Sequence, residues 1–380
     1  MFEPYIAAIR ALFGDPIDPI PLHAPWFDQE DEDAVSACVR STFVSSIGAE
    51  ISGFEADLAA YTGAAHAVAT VNGTAALHTA LLLADVRPGD LVITQSFSFI
   101  ATANAITYTG ARPLFIDIDA ETLGLSPKAL RGFLDNACEV KEGRCIHRAS
   151  GKRIKACVPM HSFGTCVHMP ELVAICKEHH LALIEDAAEA LGSTIHDRHA
   201  GTWGLIGTLS FNGNKIITCG GGGALLFEDG DLAKKAKHLT TQAKLPHEWA
   251  FSHDPVGYNY RMPNLNAALA RSQMSKLHGN INAKRDLHER YRTMFADSPW
   301  TLHEEPDGVR SNYWLNALLL SDRKERDAFL KESHKRGVLT RPAWEPGHTL
   351  PMYTDDIRCD LRTTMDVHDR LVNLPSSVIR

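Results

Sequence analysis

The sequence predicts an α/β protein: a large domain with a mainly parallel central sheet, then a smaller C-terminal α+β domain. Two observations carry this expectation. Over the first two thirds of the chain, short apolar β-prone runs alternate with helical patterns, as strands buried on both faces and joined by helical crossovers do. Beyond them, two long helical patterns lead the chain away, and the remainder reads as strand, helix, strand and loop. The expected divisions are an N-terminal arm over 1–23, a large domain over 24–255, and linking helices with a small domain over 256–380.

Residues 1–23 are mixed and hold four prolines, which suits an extended arm with a short helix. Phe54–Tyr61 is amphipathic at helical spacing. Ala67–Val71 is a short strand closed by Asn72-Gly73, and Thr74–Leu83 resumes as an Ala/Leu-rich helix. Leu91–Thr94, bounded by Pro88-Gly89-Asp90, and Pro113–Ile118 are further strands. Lys155–Met160 and Leu181–Glu185 are two more. A helix with proline in its first turn starts between them at Met169-Pro170. Gly220–Gly223 reads as a flexible break before a strand at Ala224–Phe227. Leu265–Leu277 and Ile281–Met294 read as two helices. Strands at Trp314–Leu320 and Arg336–Thr340 flank a helix at Glu325–Lys335.

Composition excludes several classes. Of 380 residues, 44% are hydrophobic and 22% charged, so the chain has the apolar content of a folded protein. The net charge of -8 gives no general attraction to nucleic acid or an anionic membrane. No apolar run approaches the ~20 residues of a membrane span. The start Met1-Phe2-Glu3-Pro4 lacks a basic segment followed by an apolar one, so the expected location is cytoplasmic. Five of the eight cysteines fall between 138 and 176 without any C-x-x-C pair. Joined with His147, His161 and His168 they would make an irregular zinc site. Reduced, buried thiols suit them better, and no metal is expected. Asn72-Gly73-Thr74 fits a glycosylation acceptor, expected to stay unmodified.

The chain lacks a dinucleotide fingerprint, a Walker A loop, a G-x-S-x-G elbow and an H-E-x-x-H pair. Three segments remain. Asn72-Gly73-Thr74-Ala75-Ala76-Leu77 ends a strand and opens a helix, which aims backbone N–H groups and a hydroxyl at an anion. Ile184-Glu185-Asp186-Ala187-Ala188-Glu189 puts carboxylates at the C-terminal end of a buried strand, where α/β sheets hold ligands. A buried carboxylate there needs a cationic partner. Leu209-Ser210-Phe211-Asn212-Gly213-Asn214-Lys215 sets a lysine among apolar and small residues, and burial favours its neutral, nucleophilic amine. Taken singly, a capped helix, an acidic loop and a solvated lysine explain each. Together they meet the needs of pyridoxal phosphate (PLP): a phosphate cradle, a carboxylate for the pyridinium nitrogen, and a lysine for the aldehyde.

In that light the chain resembles the PLP-dependent nucleotide-sugar aminotransferases of the DegT/DnrJ/StrS group, enzymes of fold-type I. The similarity runs from about Leu22 to Pro375. It rests on N-G-T-A-A-L (72–77), S-F-S-F-I-A-T-A-N (96–104), I-E-D-A-A-E-A-L-G (184–192), S-F-N-G-N-K (210–215), G-Y-N-Y-R-M (257–262) and L-P-S-S (374–377). The resemblance implies that Gly73, Thr74 and Ser210 bind the phosphate and that Phe99 stacks on the pyridine ring. It implies that Asp186 pairs with the ring nitrogen and that Lys215 forms the Schiff base. Asn259 would reach the phosphate of the neighbouring subunit, in a homodimer with shared sites. Glu189 departs from the pattern, standing where many members have Gln or His beside the ring hydroxyl.

Ser41–Gly48 and Pro21–Pro25 resemble the branch that aminates UDP-linked 4-keto-6-deoxy sugars, typically 2-acetamido ones, on routes to surface glycans. The implied reaction moves an amino group from L-glutamate to the C4 ketone. Three readings stand beside it. One is a sugar dehydratase, a branch that typically has His at the lysine position. Another is a different fold-type I PLP enzyme, and the third is a PLP-binding regulator without turnover.

Overall fold

Nine strands form the central sheet in the computed structural model, which describes residues 2–379. From one edge the strand order is His66–Thr70, Gly223–Phe227, Ile206–Ser210, Ala182–Asp186, Arg153–Val158, Leu91–Gln95 and Arg112–Ile116. The last five run parallel. Gly223–Phe227 runs antiparallel to both its neighbours. A hairpin, Cys138–Lys141 with Arg144–His147, adds to the Arg153–Val158 strand. The mainly parallel sheet read from the sequence is therefore present. Sequence periodicity gave no sign of the hairpin, of the Ile206–Ser210 strand, or of a side sheet built from two-residue strands.

Alternation along these strands explains why both faces are apolar. Ile93 and Leu183 enter one core with Phe54 and Leu114. Their neighbours Val92 and Ile184 enter the opposite core with Leu77 and Leu225. Each such side chain contributes roughly 1.5–3 kcal/mol on burial. A strand carrying two apolar faces must be covered by helices on both sides, which is what the crossovers supply.

Downstream, the helix Asn264–Phe295 runs unbroken for 32 residues. The expected division near Gly279 is absent. An interior glycine costs only about 1 kcal/mol, and Leu277, Asn280, Ile281 and Lys284 are all buried around it. A four-stranded antiparallel sheet follows, ordered Thr301–Leu302, Asn316–Leu319, Leu371–Leu374, Arg341–Pro342. The strand expected at Arg336–Thr340 is a second correction. The helix Arg323–Lys335 runs up to it and the chain then turns at Gly337. Ladder pairing begins only at Arg341. Val338 instead bridges to Ile20 of the N-terminal segment. That segment carries a helix, Glu3–Leu12, whose Ile6 and Ile9 pack with Tyr291, Phe295 and Phe329.

Candidate active site

The three segments that carry chemistry gather at one end of the sheet, two of them at the C-terminal ends of parallel strands, where such sheets place their ligands. His66–Thr70 ends beside the helix Gly73–Leu83, whose first turn is capped by the Asn72 side chain accepting the Ala75 N–H at 2.8 Å. Thr70 and Ser210 both lie level with Gly223 in the sheet. The approach is close enough that a Cβ on Gly223 would strike the Asn72 carbonyl. A Cβ on Gly73 would come within 2.9 Å of the Ser210 Cβ. The Gly220–Gly223 run is thus a tight packing element in its last residue, and not a loose break as the sequence suggested. The resulting turn leaves the first backbone N–H groups of the helix and two hydroxyls, Thr74 and Ser210, around one cavity of about 380 Å³.

Asp186 ends its strand inside that cavity wall, 3% exposed. Its carboxylate accepts the Thr102 hydroxyl at 2.6 Å and the Ala188 N–H at 3.2 Å. Burial pushes its pKa up, and these hydrogen bonds and the Lys215 charge oppose that shift. A carboxylate placed so is stabilised by a further cation, as a protonated ring nitrogen would be.

Lys215 leaves the turn after Ser210 and points its Nζ between two groups. Glu189 Oε1 lies 3.2 Å away, and the Trp314 ring centroid lies 4.2 Å away. The other Glu189 oxygen accepts the Phe163 N–H at 2.9 Å. Phe163 has a left-handed backbone, φ 56°, a strained conformation for a bulky residue that aims this N–H inward. Burial pushes Glu189 up to about 7.

Of the residues read from the sequence, Gly73, Thr74, Phe99, Asp186, Glu189, Ser210 and Lys215 line this one cavity. Phe99 stands at its rim, half exposed, with Trp344 beside it at 6.5 Å between ring centroids. Asn259 is exposed and lies outside the cavity of its own chain. The sequence reading missed Thr102, Phe163, Trp314 and Trp344. Thr102 was within reach, three residues after Phe99 in a helical stretch and so on its face. The tryptophans come from the C-terminal third and carry no local signal.

The five clustered cysteines are free thiols packed in the large core. The histidines grouped with them face elsewhere. His161 pairs with Glu185, His147 with Ser150, and His168 with Glu121. A larger concavity, about 820 Å³, is bordered by Phe43, Ile47 and Asn264. Its acid and its amine, Glu50 and Lys237, are each engaged by other partners, Arg271 and Glu55.

A phosphate cradle that admits no Cβ, a buried carboxylate short of a cation, and an amine held against a carboxylate and an indole fit PLP. The fold and this set define a PLP-dependent aminotransferase of fold-type I. The DegT/DnrJ/EryC1/StrS aminotransferase family matches residues 25–378, and the chain belongs to that family. It is 35% identical over 336 residues to the GDP-perosamine synthase of Vibrio cholerae, covering 88% of this chain and 87% of that one. It is 30% identical to the UDP-N-acetyl-3-dehydro-alpha-D-glucosamine 3-aminotransferase of Acidithiobacillus ferrooxidans, covering 84% and 82%. Among solved structures it resembles Helicobacter pylori PseC, an aminotransferase involved in the biosynthesis of pseudoaminic acid. The TM-score there is 0.85 at 25% identity, covering 94% and 93%.

Proposed function

We propose that the enzyme transfers an amino group from L-glutamate to the C4 ketone of a nucleotide-linked 4-keto-6-deoxy sugar of the UDP-2-acetamido type, for surface-glycan synthesis. One observation carries the reaction class: Lys215 Nζ stands 3.2 Å from a buried carboxylate, in the cavity that also holds the Gly73 cradle and Asp186. PLP supplies the group that accepts and returns the amine, and a ring that spreads the charge left on carbon. Gly73, Thr74 and Ser210 would hold its phosphate. Asp186 would pair with the ring nitrogen and keep it protonated, and Phe99 would cover the ring. Lys215 would anchor the cofactor and, once free, its Nζ would carry the proton. Glu189 Oε1 is placed to exchange that proton.

A GDP-linked 4-keto sugar is the second reading, supported by the 34–35% identity to relatives named GDP-perosamine synthase. The test is to supply UDP-, GDP- and dTDP-linked 4-keto sugars with glutamate and identify the aminated product. Multiple-turnover release of 2-oxoglutarate only with the UDP-acetamido sugar is expected. No 2-oxoglutarate with any of them would end the assignment.

The same reading makes the protein a homodimer with shared sites. Exposed Phe43, Ile47, Trp249, Phe251 and Val256 support it, as does the exposed Asn259, which no group of its own cavity engages. A cytoplasmic location belongs to this reading too, and eight free cysteines suit a reducing compartment. Among the described residues no helix is long and apolar enough to cross a membrane.

A further inference from the structure

Two groups face Lys215 Nζ, Glu189 and the Trp314 indole, and one buried side chain joins them. Asn312 is fully buried. Its Nδ2 donates to the carbonyls of Glu189 and Leu191, both at 2.9 Å. Its Oδ1 accepts the Trp314 N–H at 2.8 Å. Only an amide serves here. Two carbonyls need two hydrogens, an N–H needs a lone pair, and one planar group supplies all three. The packing is as specific as the hydrogen bonding, since a Cβ on Gly164 would collide with Asn312 Oδ1. The Asn312 N–H donates to Ser193 Oγ at 3.0 Å, and that hydroxyl donates to the Gly164 carbonyl at 2.7 Å.

Trp314 is fixed at two further points. Its indole N–H donates to the Asn214 carbonyl at 2.7 Å, one residue before Lys215. Its own carbonyl accepts Lys284 Nζ at 3.0 Å. Between Asn312 and Trp314, Tyr313 takes a left-handed backbone, φ 45°, and stacks on His288 at 3.7 Å between ring centroids. Strain of this kind in a buried tyrosine persists only where its surroundings over-determine it.

We infer that Asn312 is a positioning residue for the reacting lysine: through one amide it locks the Glu189 peptide to the Trp314 peptide, and so holds both walls of Lys215 in register. The inference rests on Lys215 being the reacting amine and is independent of which sugar is aminated.

The test uses the PLP-loaded protein and two readouts: the midpoint of its visible absorption titrated against pH, and kcat with KM for the amino donor. Asn312→Ala is expected to move the midpoint by about one pH unit. It is expected to lower kcat by about 10- to 100-fold while KM stays within about twofold. Asn312→Asp, which turns a carboxylate toward two carbonyls, is expected to do at least as much. In a Glu189→Gln background the midpoint shift caused by Asn312→Ala should shrink, because one of the two walls that it positions no longer carries a carboxylate. A lower melting temperature with midpoint and kcat unchanged would overturn the inference, and so would full additivity with Glu189→Gln. If Asn312→Ala does not fold, Asn312→Ser is read in the same way. Absence of any lysine-linked absorption in the wild type would instead count against Lys215 itself.

Discussion

Glu189 Oε1 and Lys215 Nζ lie 3.2 Å apart, the carboxylate buried and the lysine mostly so. At that distance in a poorly solvated site the hydrogen bond between them is stronger than one between exposed partners. The pairing gives Glu189 a direct relation to the lysine, beyond the neighbourhood of the ring hydroxyl that the family pattern suggested.

Replacing Glu189 with Gln tests that relation. Burial lifts this carboxyl from an ordinary 4.5 to about 7, so the folded chain binds its proton more tightly than the unfolded chain does. Stability from this group is therefore full below about 4.5 and is lost as pH rises through about 7. The wild-type apoprotein should lose stability relative to Glu189→Gln across that interval and stay lower above it. In the loaded enzyme, kcat/KM is expected to show an inflection that depends on Glu189, and this should disappear with the substitution. Activity should fall by about 10²-fold, the scale of one lost general acid–base group. Denaturant melts and a pH–rate profile read the two effects separately.

Lys215→Ala removes the only amine that lines the cavity among the described residues. The Gly73 cradle and Asp186 remain, so the variant should still bind PLP without covalent attachment, and reduction with borohydride should not fix the cofactor to the chain. Turnover should fall to the background of the assay. Transamination at the wild-type rate by this variant would remove Lys215 from the mechanism.

Much of this site was legible in the sequence because its chemistry is local. Asp186 and Glu189 sit three residues apart after one strand, Lys215 follows another, and Gly73 opens a helix. Each needs only its own flanks to be read. Trp314, Trp344 and Asn312 were not legible, because they act across long separations: Asn312 bonds to Glu189 at 123 residues' distance. The helix through Gly279 shows a different limit, tertiary burial overriding a local weak point. The side sheet shows a third, since a two-residue strand has no periodicity to detect.

Gly73→Ala probes the phosphate cradle without touching an ionisable group. The new methyl would press on Ser210 Cβ at 2.9 Å. Overpacking of that kind typically costs about 1–3 kcal/mol. The strand end must shift to relieve it, which displaces both Ser210 and the helix N-terminus from a phosphate. PLP affinity should fall by about tenfold or more, measured by fluorescence quenching. Free phosphate should compete less well against the variant than against the wild type.

Subunit mixing tests the shared site. In an isologous dimer that combines Lys215 of one protomer with Asn259 of the other, Lys215→Ala and Asn259→Asp each spoil both sites. A mixed dimer of the two keeps one site with both native residues. Random reassortment of the two inactive variants should therefore restore about a quarter of wild-type activity. Recovery of nothing, with mixed dimers present by mass, would mean that each site is complete within one chain.

Lys284 grips the Trp314 peptide at its carbonyl, opposite the N–H that Asn312 accepts. It is fully buried, and its Nζ donates to the carbonyls of Trp314 and Ser376. Burial pushes its pKa from an ordinary 10.5 down to about 7. Between those values the unfolded chain binds a proton that the folded chain does not, so stability contributed through this group rises with pH over that interval. Lys284→Met removes both the titration and the two hydrogen bonds. Below about pH 7 the variant escapes the penalty of a buried ammonium but loses its hydrogen bonds, and these effects oppose each other. From about 7 to about 10 the wild type should gain on the variant by up to about 1.4 kcal/mol per pH unit, the slope of one proton. A stability difference independent of pH would mean that Lys284 stays charged in the fold. Because Lys284 holds the Trp314 carbonyl, the variant should also shift the absorption midpoint of the PLP-loaded enzyme in the same direction as Asn312→Ala, by a smaller amount, since the Asn312 amide still grips the tryptophan from the other side.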